Sequence, residues 1–228
     1  MEQYQSIIEL IALSAGVAWA SGINLYAVLL VLGLGGSTGY IALPDPLLVL
    51  QNPAVIAAAG LMYLVEFTAD KTPGVDTVWD GLHTFIRLPA GALLAAGALG
   101  EVEPALLLAA AITGGGISAT SHAVKAGSRV LINTSPEPVS NWTASITEDF
   151  LAVGGLWLAL NHPSVFVVLL VGFLALSIWL LPKLWRAIKT IVNKIRCWFK
   201  GEPARPPTSS VTEALEPANL LTSNHNKP

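Results

Sequence analysis

The chain has 228 residues, 53% of them hydrophobic and only 12% charged, with a mean hydropathy of +0.62. That balance excludes an ordinary soluble domain and points to an all-α, polytopic helical membrane protein, because runs approaching the roughly 20 apolar residues of a bilayer crossing recur along it. A net charge of −3, unevenly spread, says little about partners, and a single cysteine, Cys197, excludes an internal disulfide or a cysteine-based metal site.

Six candidate spans follow in chain order: Ile7–Gly35, Ala54–Ala69, Gly81–Gly100, Pro104–Ser121, Ile146–Leu160 and Ser164–Leu181. The first is flanked by Glu2, contains Glu9 and has no Lys or Arg before Lys71, so it lacks the basic start of a signal peptide and reads as a retained span. It is too long for one straight crossing and is interrupted midway by Ser21-Gly22-Ile23-Asn24. That tetrapeptide reads either as a small-residue packing site or as a helix break. An asparagine at mid-membrane needs partners, which makes Asn24 a weak site candidate.

Residues 66–87 read EFTADKTPGVDTVWDGLHTFIR, with six formal charges and a histidine between two apolar runs. On a helix over 76–87, Asp76, Asp80, His83 and Arg87 form one stripe at i, i+4, i+7 and i+11. Ser118, His122, Lys125 and Arg129 repeat that spacing. Glu66 and Asp70 add an i, i+4 carboxylate pair, and Glu148 with Asp149 opens a returning helix that Asn141 or Ser145 is placed to cap.

The two charged segments share a plan: apolar run, polar segment, shorter apolar run. The closing runs, 88–100 and 150–160, are too short to cross roughly 30 Å of hydrocarbon unless part of each polar segment enters with them. About six spans with two similar hairpins containing short or broken helices are therefore expected, with a break at Pro89 and buried charges. Asp76 or Asp80 is expected to pair with Lys125 or Arg129, and Glu148 or Asp149 with Lys71 or Arg87. Solvated loop charges acting as orientation signals are the alternative.

Six spans place 71–80, 122–145 and both termini in the cytoplasm, with every basic residue near that side, as the positive-inside rule requires. A helical transmembrane domain over 1–182 then gives way to an amphipathic interfacial helix over 183–200, whose basic face suits anionic lipid. Residues 201–228, rich in Pro, Ser, Thr and Asn, read as a disordered cytoplasmic tail.

No phosphate loop, nucleophile elbow or HExxH is present, and the spacing of Asp76, Asp80 and Arg87 fails the CDP-alcohol phosphotransferase pattern. Carboxylates and imidazoles among these residues suit Mg, Mn, Fe or Zn, but without a fixed ligand spacing, so no metal or cofactor is assigned.

SGINLY near the start, EFTADKTPGVDTVWDGLHTFIR, and SHAVKAGSRVLINTSPEPVSNWTASITED together resemble the signature segments of the domain-of-unknown-function 4126 family of bacterial multi-pass membrane proteins. The resemblance covers roughly 8–160 and falls on Glu66, Asp70, Lys71, Pro73, Asp76, Trp79, Asp80, His83, Thr84 and Arg87. In the second half it falls on His122, Lys125, Arg129, Asn133, Ser135, Pro136, Glu137, Pro138, Ser140, Asn141, Ser145, Glu148 and Asp149. Leu88-Pro89 departs from the family's Arg-Pro. The resemblance implies a multi-pass protein of the bacterial inner membrane and brings no established activity.

The leading expectation is a protein that binds and translocates a small ion or polar solute through a charged cavity between the two hairpins. The site is drawn from Glu66, Asp70, Lys71, Asp76, Asp80, His83, Arg87, His122, Lys125, Arg129, Asn141, Glu148 and Asp149. A metal-dependent enzyme acting on a lipid or isoprenoid and a structural or assembly protein are the rivals. The lipid bilayer is the expected partner, nucleic acid is not, and a homo-oligomer is left open.

Overall fold

Prolines open four of the helices in the computed structural model, which describes residues 2–134 and 138–200. The helices are α1 (Glu2–Ser37), α2 (Pro53–Ala69), α3 (Val75–Gly97), α4 (Pro104–Ile132), α5 (Pro138–Asn161) and α6 (Pro163–Lys200). A 3-10 helix, Asp45–Gln51, leads into α2, and no strand occurs among the described residues. Pro suits a first helical position because the N–H it lacks has no partner there. At α2 the Asn52 side chain completes the cap by accepting from Ala54 N at 2.9 Å.

Three helices are long and apolar enough to cross a membrane, Gln5–Ser37, Pro104–Ile132 and Pro163–Lys194. A fourth span results if Asp45–Gln51 and Pro53–Ala69, bent by 69°, are taken together. The count differs from the six expected because α3 and α5 carry the charges of the site. The short apolar runs do continue into the polar segments, giving unbroken helices of 23 and 24 residues. At 1.5 Å per residue each is about 35 Å long.

Two expectations about continuity are corrected. Helix α3 runs through Pro89 without a break; Ser118 Oγ donates to Arg87 O at 3.0 Å, securing the backbone beside the hydrogen bond that proline removes. Helices α3 and α5 are therefore continuous, whereas α2, 17 residues long, meets the 3-10 helix before it at a 69° bend, a short and broken span of the kind expected. Helix α6 runs on through Pro182 to Lys200, so residues 183–200 are helical, as expected of them. The chain divides into two units at Ile188 and Lys189. The side chains of Ile195, Cys197, Trp198, Phe199 and Lys200, the loop residues Ser135, Pro136 and Glu137, and the expected tail at 201–228 lie outside the described residues.

The second correction concerns α1, expected as a single span: its interruption, left open as a packing site or a break, is a break at Asn24 that reverses the chain instead of bending a crossing. Asn24 takes φ −144° and ψ 96°, an extended conformation inside an otherwise helical segment. A straight helix of 36 residues would hold its ends about 54 Å apart. Yet Ser6, Glu9 and Leu10 share one groove with Tyr40, Ile41 and Ala42. Both arms of α1 thus start and finish at the end of the bundle that holds Gly100 and Asn161. The tip, at Gly22 to Asn24, reaches α4 and α5 halfway along their length.

This inserted hairpin is the centre of the core. Val17, Ala20, Leu25, Val28 and Leu32 are buried along its arms, and α2, α3, α4 and α5 pack around it. Trp19 meets Phe166 and Phe173 of α6 edge-on at 6.1 and 5.8 Å between ring centroids. The outward faces carry Leu61, Leu64, Phe85, Leu93, Ile112, Val168 and Ile178, all well exposed. An apolar surface on so many helices suits lipid.

Gly22 allows the closest of these approaches. A Cβ there would lie 2.0 Å from Ser121 Oγ and 2.3 Å from the Ser118 carbonyl oxygen, a backbone atom that cannot step aside. Gly22→Val is expected to cost about 3 kcal/mol by overpacking, read as a lower thermal midpoint in detergent. Gly116→Ala, where a Cβ meets nothing within 4 Å, is the control and should leave the midpoint unchanged or slightly raised.

Candidate functional site

Around the tip of α1, the charged residues of α2 to α5 converge into one buried network. Arg87 of α3 donates through Nη2 to Glu66 Oε1 of α2 and through Nη1 to Asp80 Oδ1 at 3.0 Å. Lys125 of α4 lies at the centre, 2.8 Å from Asp70 Oδ2, 3.3 Å from Glu66 Oε1, 3.5 Å from Glu148 Oε2 and 3.8 Å from Asp80 Oδ1. Its Nζ also donates to Ile23 O at 3.0 Å, a carbonyl beside the break in α1. The interruption in the first helix and the central cation of the network are therefore one construction.

One turn further along α4, Arg129 grips Glu148 of α5 with two parallel bonds, Nε to Oε1 at 3.0 Å and Nη2 to Oε2 at 2.6 Å. A planar guanidinium suits that two-point contact. Its Nη1 donates to Asp70 O at 2.8 Å and Asn141 O at 3.3 Å, tying the turn after α2 to the start of α5. Asp76 accepts both Asn133 Nδ2 contacts, at 2.7 and 2.9 Å, and lies 3.9 Å from Arg129. Asn141 Nδ2 donates to Asn133 Oδ1 at 3.0 Å, closing the ring.

The two histidines sit at the side of Arg87. Because a guanidinium only donates, its 3.0 Å contact with His122 Nδ1 makes that nitrogen an acceptor. His122 Nε2 then donates to Thr84 Oγ1 at 2.8 Å, so the ring is neutral. His83 Nδ1 donates to Trp79 O at 2.9 Å and its Nε2 faces Tyr26 OH at 3.1 Å. Its ring stacks on Trp79 with centroids 4.2 Å apart.

Asn24 serves both the fold and the network. Its Oδ1 accepts from Ala27 N at 2.9 Å, capping the returning arm, and its Nδ2 donates to Asp149 Oδ1 at 2.8 Å. Lys71, in the turn after α2, donates to Phe67 O and Ser145 Oγ, both at 3.2 Å, and rests 2.9 Å from the centroid of the Phe67 ring. Burial pushes its ammonium below the ordinary lysine value against the opposing pull of Asp149 and Asp70.

Every residue proposed from sequence thus falls in one region, but the pairing differs in part from expectation. Asp80 with Lys125 and Asp76 with Arg129 come together across the hairpins. Glu148 pairs with Arg129 and Lys125 rather than Lys71 or Arg87, because it lies on the face of α5 next to α4. Asp149 meets Asn24 and Tyr63 and no cation within 4 Å among the described residues. Tyr26, Tyr63, Phe67 and the Ile23 carbonyl were missed. Ile23 and Tyr26 lie in SGINLY and Phe67 beside Glu66, whereas Tyr63 carried no signal.

The charge count is the site's defining property. Glu66, Asp70, Asp76, Asp80 and Glu148 face Arg87, Lys125 and Arg129, five carboxylates against three cations in a region almost closed to solvent. Three carboxylate oxygens, Glu66 Oε2, Asp70 Oδ1 and Asp80 Oδ2, are buried with no hydrogen-bond partner among the described residues. No three His, Cys, Asp or Glu side chains among those residues converge as a metal ion would need.

No curated protein and no solved structure matches the chain. A family model described as domain of unknown function (DUF4126) matches residues 11–183, which include every element of the network and the whole of the α1 break. With most of its length matched, and the three quoted segments inside the match, the chain belongs to the domain-of-unknown-function 4126 family.

Proposed function

We propose that the protein binds and translocates a small cation, with the proton as the species its network itself holds. The observation that carries this reading is the excess of two buried carboxylates over cations. A net charge of that size in a low-dielectric interior is costly enough that protons or bound cations neutralise it. His122 is excluded as the carrier by the Arg87 donor on its Nδ1. The three bare oxygens of Glu66, Asp70 and Asp80, grouped around Lys125, are the natural acceptors. A helix broken at mid-bundle beside a charged site is also how many transporters build their binding sites. Reconstituted in liposomes, the protein should dissipate an imposed proton or monovalent-cation gradient; a well-folded protein that moves none of them defeats the reading.

The completeness of the cation contacts favours a second reading, a network that only locks the helices together. It requires the parent to be inert in the flux assay and neutralised variants to be more stable. The reading as a metal-dependent enzyme gains no support from the geometry.

The reversal in α1 also sets the membrane orientation we infer. With both arms of α1 entering from one face, the start of α1 joins Asp45, Glu101, Glu103 and His162 on that face, where no Lys or Arg lies among the described residues. Lys71, Lys183 and Arg186 lie toward the other. The positive-inside rule then puts the start of α1 outside, with five crossings and one inserted hairpin. This orientation is the alternative to the cytoplasmic N-terminus expected from six crossings. With Cys197 replaced by Ser, a Ser6→Cys variant should react with an impermeant maleimide on intact cells. A Thr72→Cys variant should react only after permeabilisation, and the reverse pattern overturns the orientation.

A further inference from the structure

One carboxylate and one ammonium stand apart from the paired network: Asp149 lines a cavity, and Lys71 rests on the ring of Phe67, which lines it too. Glu66, Asp70, Asp76, Asp80 and Glu148 each have a Lys or Arg nitrogen within 4.0 Å, while among the described residues Asp149 has none. Arg87, Lys125 and Arg129 each have carboxylate partners, and among the described residues Lys71 has none within 4.0 Å. The cavity, about 310 Å³ between α2 and α5, is lined by Tyr63, Phe67, Ile146, Asp149, Phe150 and Val153.

The two charges are held apart by separate tethers. Asn24 donates to Asp149 Oδ1 at 2.8 Å, and Tyr63 OH donates to Oδ2 at 3.4 Å, a long and weak bond. Ser145 and the Phe67 carbonyl and ring hold Lys71. Ser145 precedes Asp149 by one turn of α5, so the ammonium sits about one turn, roughly 6 Å, from the level of the carboxylate. A carboxylate in the wall of an aromatic, apolar cavity and an ammonium about one turn away, against the Phe67 ring of that wall, complement a ligand that bears an ammonium and an anion a few bonds apart. Phe67 already carries one ammonium on its ring, showing that this wall accepts one.

We propose that this cavity binds the headgroup of an aminophospholipid, with its primary ammonium at Asp149 and its phosphate at Lys71. The lipid source follows from the surroundings: Leu64, Phe150 and Ile146 are exposed around the cavity, an apolar surface suited to acyl chains and unsuited to a free polar solute. The inference uses the membrane placement of α2 and α5 and does not depend on cation translocation. Its readout is lipid retention, which an absence of flux leaves untouched.

Native mass spectrometry of the full-length protein after delipidation tests it, with phosphatidylethanolamine, phosphatidylcholine and phosphatidylglycerol added in turn. The parent should retain phosphatidylethanolamine over phosphatidylcholine, whose methylated ammonium cannot donate to Asp149, and over phosphatidylglycerol, which has no ammonium. Asp149→Asn should lose that preference while still retaining phosphatidylglycerol. Lys71→Gln, a change in a turn away from the core, should lower retention of all three and keeps the test decisive if the Asp149 variant does not fold. Equal retention of the three lipids by the parent overturns the proposal. So does binding of free phosphoethanolamine as strong as that of the lipid, since the acyl surface would then contribute nothing.

Discussion

Arg87→Leu is expected to destabilise the protein by about 3–5 kcal/mol, the range found when one partner of a buried ion pair is removed. Arg87 is fully buried and is the only contact of Asp80 Oδ1 closer than 3.5 Å among the ion pairs. Its loss leaves five carboxylates facing two cations and exposes His122 Nδ1 to no donor. Arg87→Lys should recover little, since one ammonium cannot reach Glu66, Asp80 and His122 together as a planar fork does. Arg87→Leu combined with Glu66→Gln restores the original excess of two and should recover a measurable part of the loss. Unfolding of purified protein in detergent, followed by heat or by SDS titration, reads all three. An Arg87→Leu protein as stable as the parent would mean that the network's charges are compensated by something other than their neighbours.

The same comparison explains how much of the site was legible in the sequence. Helical stripes were readable because spacing alone puts Asp76, Asp80, His83 and Arg87 on one face, and His122, Lys125 and Arg129 on another. Their burial followed from the shortness of the apolar runs after Arg87 and after Asp149, which cannot cross hydrocarbon unaided. Partner choice was not readable. Whether Glu148 meets Arg129 or Arg87 depends on the rotation of α5 about its axis, which its apolar residues constrain weakly because several of them, such as Phe150 and Leu151, are exposed.

The reversal of α1 was hidden for a different reason. A long apolar run with a small-residue interruption has the same composition whether the chain continues or turns back. The distinguishing fact is tertiary, since Lys125 must be present to take the Ile23 carbonyl and Asp149 to take the Asn24 amide. Pro89 failed as a signal because a membrane helix tolerates proline where a neighbouring hydroxyl serves the nearby backbone, as Ser118 does. Position within one helix cannot announce a partner on another.

Glu66→Gln is expected to do the opposite of Arg87→Leu, keeping or raising stability while abolishing cation movement. The amide retains an oxygen where Glu66 Oε1 now accepts from Arg87 and Lys125, and it replaces the unpartnered Oε2 by a group that donates. It also removes one of the two excess negative charges, so the desolvation cost of the network falls. Proton affinity falls with it, because the remaining carboxylates are better matched by Arg87, Lys125 and Arg129. Liposome flux and thermal unfolding measured on the same preparation separate the competing readings. A stable Glu66→Gln protein with flux at the level of empty liposomes, beside an active parent, is the result expected for a cation pathway. A stable variant beside an inert parent assigns the charges to holding the helices together. A variant as damaged as Arg87→Leu would show that Glu66 is needed in its charged form, and the excess of buried negative charge on which the functional reading rests would not exist.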